Sequence, residues 1–445
     1  MLDLLTDLLS RARARGASEA DAFLTEEEES SVQVRLRRVD TVKHSREQRL
    51  SLRVFSEKAA AAASTSDLSR ASVEKLVDEA IGLARITTPD PLAGLPEREE
   101  LAPLSTDLDL HDPDGHGLSP EERIELARRA EAAALDADPR VTNSEGSEFY
   151  ERRATHAYAT SDGFFGSYRT SGFSLTVSPV VSSNGEMQRE SWYSIARKRA
   201  RLDPPEEVGR IAARRALRRL GARKVKTCEV PVVFDPEMAS SLLRNLSSAI
   251  SGYSLYKGAS FLIGKLATKI ASESVTVIDD GTIPGALGSR PFDGEGLPIK
   301  RKLIVDKGQL QSYLLDTYSG KKLGMASTGN ASRSVGEPPG VAPANFYLAP
   351  GTHTPEEIIG SVKAGLYVTE LIGFGVNMVT GDYSRGAAGL WIENGELAFP
   401  VEEITIAGNL KEMFQNLEMV GNDLEMRGRI AAPTVKIARM TVAGN

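Results

Sequence analysis

The 445-residue chain has a single cysteine, Cys228, so no internal disulfide can form and cohesion has to come from burial. One thiol in a chain this long points to a reducing compartment, and a cytoplasmic location is the expectation. Histidine is nearly as scarce: His44, His111, His116, His156 and His353 are the whole supply. Zinc needs three or four ligands held at short, fixed distances. The only histidines close in sequence lie in "HDPDGHG" (111–117), on a Pro/Gly/Asp segment with no scaffold, which reads as a solvated loop. No apolar run approaches the roughly 18–20 residues that cross a bilayer, so no membrane partner is expected. The opening MLDLLTDLLSRARARG sets Asp3 and Asp7 among leucines at helical spacing. It reads as an amphipathic helix stopped by Gly16, not a signal peptide. A net charge of −7 also argues against a general nucleic-acid binder, which needs excess cation to displace counterions from phosphate.

Several catalytic motifs are missing too. The phosphate-loop pattern G-x-x-x-x-G-K-[ST] does not occur, and "GFGVNM" (373–378) lacks the third glycine of a dinucleotide fingerprint. "GDYSRG" around Ser384 has the wrong spacing for a nucleophile elbow and leads into a strand instead of a helix. Cys228 has no histidine near it in sequence and reads as an inert, half-buried thiol.

What is present is an ordinary globular composition, 41% hydrophobic and 26% charged, long enough for two or three domains. Residues 19–64 alternate in the manner of strands, with Val32, Val34 and Leu36, then Leu50, Leu52 and Val54, on one face and polar partners between them. Helical stripes follow at 70–86, after Ser119-Pro120 with its capping box at Glu122, and at about 204–220. Residues 140–195 read as long strands with a hairpin at Asn184-Gly185. In the second half a strand runs through Asp235-Pro236 into a helix bearing Leu242, Leu243, Leu246 and Ile250. Hairpins are marked at Lys307-Gly308 and Asn394-Gly395, and short helices near 355–365 and 408–417. Strands and helices come in blocks, which implies an α+β fold with mostly antiparallel sheets and a few flanking helices. Two domains are expected, 1–222 and a β-rich 223–445, with 87–119 as a surface connection.

Three polar features stand out. Arg210, Arg214, Arg215, Arg218 and Arg219 share one helix and read as a solvated face. The turn "RPFDGEGLP" offers Asp293 and Glu295 to a cation or a peptide amine. With Asp279 and Asp280 these two form the only carboxylate set that suggests an independent hydrolase. "TGDYSRGAAGLWIENGE" (380–396) holds an acid, a phenol, a hydroxyl and a guanidinium between glycines, as an active-site loop does. No complete catalytic constellation accompanies it.

Six stretches together resemble one family. They are "VTNSEGSEF" (141–149), "PVVFDPEMASSLL" (231–243), "SRPFDGEGLP" (289–298), "STGNASRS" (327–334), "GFGVNMVTGDYSRGAAGLWIENGE" (373–396) and "PVEEITIAGNL" (400–410). The chain is similar to the TldD/PmbA proteins, also called modulators of DNA gyrase, and within them to the PmbA/TldE-type branch. The resemblance implies a heteromeric zinc peptidase that trims precursor peptides and degrades unfolded ones. In that family the TldD subunit carries an H-E-x-x-x-H helix after the strand matching "VPVVFDP", and a further ligand, a cysteine, near the C-terminus. By the flanking match these helix positions fall at about Arg244, Asn245 and Ala249. The cysteine would fall in "GNDLEMRGRIAAPT" (421–434), which has none. The resemblance therefore implies a metal-free, non-catalytic subunit with no cofactor of its own and zinc in a TldD-like partner. Asn377, Asp382, Tyr383, Ser384 and Arg385, with Asp293 and Glu295, are the candidates for holding an extended peptide or shaping the subunit interface. The loop at 380 is equally able to pack only against its own domain. A homodimer in isolation and regulation of DNA gyrase remain open readings.

Overall fold

In the computed structural model, residues 1–103, 107–115, 117–333 and 339–444 are described. His116 and Ser334, singled out above, lie outside these residues. The first half is one large antiparallel sheet. Its strands are β1 (Glu19–Arg35), β2 (Arg38–Ser56), β3 (Ala59–Thr65), β4 (Val141–Thr160), β5 (Phe165–Ser183), β6 (Glu186–Arg189) and β7 (Trp192–Ala196). The order is β3-β2-β1-β4-β5-β6, with β7 also paired to β5. The strand alternation explains the pairing: β1 and β2 run in register from Glu19 opposite Phe55, and the hairpin turns at Leu36-Arg37. Leu36 belongs to that turn and not to the strand face assigned to it. Its φ of 49° and 48% exposure mark a left-handed turn residue. The Asn184-Gly185 hairpin is as expected, with both residues at positive φ.

Helices α1 (Leu2–Ala14), α2 (Arg70–Ile86), α3 (Pro120–Leu135) and α4 (Pro205–Leu217) cover one face of this sheet. Leu5 and Leu8 of α1 and Val73, Leu76 and Val77 of α2 bury against Leu24, Leu50, Leu52 and Val54. Ala127 and Ala130 of α3 and Ala212 and Ala213 of α4 bury against Val32, Val34, Phe149 and Leu175. Period-two and period-3.6 patterns meet here, as an α+β layer requires. Small residues let α3 and α4 approach closely: a Cβ on Gly209 would stand 2.2 Å from the Ala130 carbonyl oxygen.

The second half builds two further sheets. The larger contains β8 (Cys228–Phe234), then β15 (Ala364–Ile372), β16 (Asp382–Glu393), β17 (Glu396–Asn409), β18 (Leu417–Val420) and β20 (Val435–Ala443), in the order β17-β16-β15-β8-β20-β18. The smaller contains β9 (Val277–Asp280), β10 (Arg301–Asp306), β11 (Gln309–Leu310), β14 (Phe346–Leu348) and β19 (Ile430–Ala431); β12 (Ala331–Ser332) and β13 (Gly340–Val341) pair with each other. Only β15–β8 and β14–β19 are parallel among the described strands. The helices are α5 (Pro236–Ala249), α6 (Gly252–Tyr256), α7 (Thr317–Leu323), α8 (Pro355–Gly360) and α9 (Leu410–Gln415). The Lys307-Gly308 and Asn394-Gly395 turns both take positive φ, as two-residue hairpins demand. The fold is thus α+β with mostly antiparallel sheets and a β-rich second half. Among the described residues no helix is long and apolar enough to cross a membrane.

Two expectations change. The Pro/Asp-rich connection is not simply a surface strap: Leu95, Ala102, Leu108, Leu110 and Asp112 are buried. Its backbone is stitched to the second half, Ala102 N–H donating to Gly296 O and Gly285 N–H to Leu108 O, both at 2.8 Å. The arginine face of α4 is solvated only in part: Arg210 and Arg214 are exposed. Arg215 and Arg219 are 12% and 17% exposed, and they reach Asp235 and Glu370 of the second half. Arginine outward on a helix is solvated only if nothing docks there, and here the second half does.

Candidate functional site

Strand β8 ends at Phe234, and Asp235 turns the chain into α5. Its carboxylate accepts from Met238 N–H at 2.9 Å, and Pro236 occupies the first helical turn. Leu242, Leu243, Leu246 and Ala249 bury the helix in the core of the second half. Spacings of three and four residues then place Glu237, Ser240 and Arg244 together along another side. That side lines a cavity of about 620 Å³ between the halves. Opposite it stand Trp192 and Tyr193 from β7, Arg215 from α4, Tyr367 from β15 and the segment 423–432.

The cavity wall is held by paired charges. Tyr193 donates to Glu237 at 3.1 Å, and burial with that carboxylate pushes the phenol up to about 12. Arg215 reaches Glu190 at 3.2 Å and Asp235 at 3.5 Å. Burial pushes the Asp235 carboxyl up to about 6, against the pull of Arg215 and of Met238 N–H. Trp192 lies near two guanidinium carbons, those of Arg215 at 4.8 Å and Arg427 at 4.7 Å from its ring. Arg244 donates through Nη2 to Ser240 Oγ at 3.3 Å and is otherwise turned to the cavity.

Family models match nearly end to end: PmbA/TldA metallopeptidase domain 1 over residues 20–84, the central domain over 113–220 and the C-terminal domain over 227–444. The chain is 41% identical to the metalloprotease PmbA of Escherichia coli O157:H7, covering 93% of this chain and 90% of that one. It is 36% identical to a metalloprotease PmbA homolog of Haemophilus influenzae, covering 98% and 94%. The chain belongs to the PmbA/TldD family. Among solved structures it matches a Bacteroides thetaiotaomicron chain described as a modulator of DNA gyrase, with a TM-score of 0.92, 28% identity and 100% and 99% of the two chains covered. TldE of Thermococcus kodakarensis shares the fold, with a TM-score of 0.88 at 21% identity over 99% and 100% of the two chains.

Within this PmbA/TldD chain the structure joins two of the sequence candidates and separates the rest. Arg244, at a helix position where the resemblance places a zinc ligand, and the stretch 421–434, where it places the cysteine, border the same cavity. Asn245 is half-buried beside Arg244, and Ala249 is fully buried in the core. Asn377, Asp382, Tyr383, Ser384 and Arg385 are not among the lining residues. Asp382–Arg385 is also not a loop: it opens β16, paired with Ile406, Ala407, Gly408 and Asn409 of β17. Asn377 accepts from Val379 N–H and so shapes the preceding turn, and Asp382 accepts from Thr380 and Asn409 side chains. Tyr383 is buried, Ser384 is exposed, and Arg385 donates to Leu371 O. The glycines serve tight sheet contacts: a Cβ on Gly375 would sit 1.9 Å from Ser384 O, and one on Gly389 would sit 2.0 Å from Tyr367 O.

Asp293 and Glu295 are buried, 2% and 1% exposed. Asp293 accepts from the backbone of Glu295, Leu297 and Ala331, and burial with Glu295 beside it pushes its carboxyl up to about 6. Glu295 accepts from Thr317 N–H and faces Arg53. Asp279 is held by Asn330, Ala344 N–H and Lys302, and Asp280 by Thr282. His111 is part-buried, with burial lowering its basicity. Cys228 begins β8, part-buried with its thiol pushed upward by burial.

The residues at the α5 cavity do not fit a zinc ion. Among the described residues no histidine or cysteine lines it, while Arg215, Arg244, Arg427 and Arg429 do. Its carboxylates are engaged: Asp235 caps α5, Glu237 holds Tyr193, Asp423 accepts from Thr434 N and Oγ1, and Glu425 accepts from Arg427 at 2.6 Å. Among the described residues no three His, Cys, Asp or Glu side chains converge as a metal site. No sequence motif assigns the roles of Trp192, Arg215 and Arg427; the available signals are the rarity of tryptophan, two in the chain, the arginine cluster on α4 and the stretch 421–434.

Proposed function

We propose that this chain is the non-catalytic subunit of a two-component PmbA/TldD peptidase, with zinc and the cleavage chemistry in a TldD-like chain. One observation carries the reading. At the α5 position where the resemblance puts a metal ligand, Arg244 presents a guanidinium to a cavity already rich in arginine. A fixed positive charge repels a divalent cation and offers it no lone pair. The cavity retains the shape and polar groups to hold an extended peptide, with Trp192 and Tyr193 as apolar, hydrogen-bonding walls.

The partner role draws on a second place. In and beside the Asn377–Arg385 segment, Ile372, Phe374 and Val379 are 58%, 98% and 56% exposed. A fully exposed phenylalanine with two exposed aliphatic neighbours is the composition of a contact surface. In this reading 1–222 and 223–445 act as two domains that close the peptide cleft between them.

The test uses the full chain alone and mixed with a TldD-like chain, assayed for zinc content and for cleavage of an unfolded peptide. The proposal expects no stoichiometric zinc and background cleavage from this chain alone, with chelator-sensitive cleavage in the mixture. Stoichiometric zinc together with cleavage by the isolated chain overturns it.

A further inference from the structure

A second cavity, about 560 Å³, lies next to the first and shares Arg427, Gly428 and Arg429 with it. Its floor is the sheet of the first half and its roof is residues 287–290 and 427–429 of the second. Arg152, Arg197, Arg290, Arg427 and Arg429 line it, and among the described residues no Asp or Glu does.

Two of these guanidiniums are neutralised. Arg152 pairs with Glu27, and Arg427 with Glu425. Glu29, which also approaches Arg152, accepts from Tyr150 at 2.5 Å. The other three have no carboxylate within ion-pair distance among the described residues. Arg197 is fixed by neutral acceptors, donating to Ser171 O at 3.1 Å and Leu287 O at 2.7 Å. Arg290 donates to Ala331 O at 3.1 Å. The Nε–H groups of Arg197 and Arg290 are buried without an acceptor among the described residues. Burial and neighbouring arginines hold Arg197 down to about 10, and burial with Arg290 nearby lowers Arg429. Buried guanidiniums with no ion-pair partner are costly unless an anion joins them, and of the three Arg290 feels the carboxylate of buried Asp293 without pairing to it. His156, held to about 4 by burial, is a neutral wall and not a fourth cation.

Building on the peptide cleft proposed above, we infer that Arg197, Arg290 and Arg429 form a carboxylate-binding subsite that anchors one end of a peptide lying in the neighbouring α5 cavity. Carbonyl acceptors pre-orient Arg197 and Arg290 without spending their charge, and planar guanidiniums match a carboxylate with paired hydrogen bonds. The carboxylate is a chain terminus or an acidic side chain. Both offer the same two oxygens.

Anisotropy of labelled, unstructured peptides on the full chain tests this. Three versions are compared: free C-terminus, C-terminal amide, and an amide carrying one glutamate. At low salt the carboxylate-bearing peptides bind about tenfold or more tighter than the plain amide, as charge-assisted hydrogen bonds predict. Free acid above glutamate identifies the terminus, and the reverse identifies the side chain. Arg290→Gln brings the ratio towards one and leaves the plain-amide affinity unchanged, because Arg290 does not line the α5 cavity; Arg429→Gln also brings the ratio towards one. Equal binding of all three peptides overturns the subsite while the peptide cleft stands. If no peptide binds, thermal stabilisation by N-acetylglycine, but not by its amide, keeps the subsite and removes the cleft. No difference between those two small molecules removes both.

Discussion

The two faces of the first sheet are covered by different chemistry. On the helix side, Leu24, Leu50, Leu52 and Val54 meet the apolar stripes of α1 and α2. On the other side the intervening residues of the same strands, Asp21, Ser51 and Arg53, are 0%, 0% and 6% exposed. They meet Glu295 and Arg333 from the second half. Arg53 donates to Asp21 at 3.0 Å through Nε and 2.5 Å through Nη2, Tyr158 donates at 3.0 Å, and Arg333 completes the cluster. Phe292 adds an aromatic contact to Tyr158, Phe164 and Tyr168. An apolar face tolerates any filler of the right volume; an ionised face works only with every partner present. The cavities lie on the ionised side, where charges can be turned from holding the halves together to holding a ligand.

The sharpest way to break that contrast is Asp21→Ala. It strands Arg333, 2% exposed, and leaves Arg53, 7% exposed, with only Glu295 as a partner at 3.4 Å. A loss of about 3–5 kcal/mol follows from removing one member of a buried ion network. Denaturant titration reads it, and high salt does not restore it, because buried charges are poorly screened. A loss below about 1 kcal/mol shows that water replaces the carboxylate and that the polar face is wet.

Leu52→Ala probes the other face. Leu52 is fully buried, and the deletion costs about 2–5 kcal/mol as lost transfer energy plus a cavity. The diagnostic lies in rescue: methionine, of similar volume, recovers most of the stability at Leu52. No single substitution at Asp21 other than an acid does the same.

These two positions also show how far the residues alone reach. Leu50, Leu52 and Val54 are legible as a core face because alternation reports which side is apolar. Ser51 and Arg53 read as the polar partners, and they are polar, yet alternation says nothing about what covers that side. The covering residues, Glu295 and Arg333, lie far along the chain. The α4 arginines mislead for the same reason. Hairpins at Asn184-Gly185, Lys307-Gly308 and Asn394-Gly395 are legible because each needs only its own backbone preference. The site is legible in one respect: resemblance points to Arg244 and to 421–434, which the fold brings to one cavity. Trp192 is invisible in the sequence, and the roles of Arg215 and Arg427 are too, since they arise only where the halves meet. Asp382–Arg385 imitates a loop because its glycines answer to close strand packing.

The smallest effect separates apolar from charged burial by pH and not by size. Asp235 lies in the charged seam between the halves, 2% exposed, with its carboxyl raised to about 6 from an ordinary 3.8. A folded-state value above the unfolded one means that the native state takes up the proton more readily. The stability contributed by the protonated form is complete below about pH 4 and is lost as pH rises through about 6. A gap of that width between the folded and unfolded carboxyl is worth on the order of 2–3 kcal/mol across the window. Asp235→Asn keeps an oxygen to accept from Met238 N–H, so the cap on α5 survives, and it carries no titrating group. Relative to wild type, the variant therefore gains stability between about pH 4 and pH 7, and its own profile is flatter by that amount. Leu52→Ala, measured in parallel, lowers the curve without bending it. A wild-type-minus-variant difference that stays constant over the same window means that Arg215 already holds Asp235 ionised throughout, and the charged seam is then more fully neutralised at this point than its burial implies.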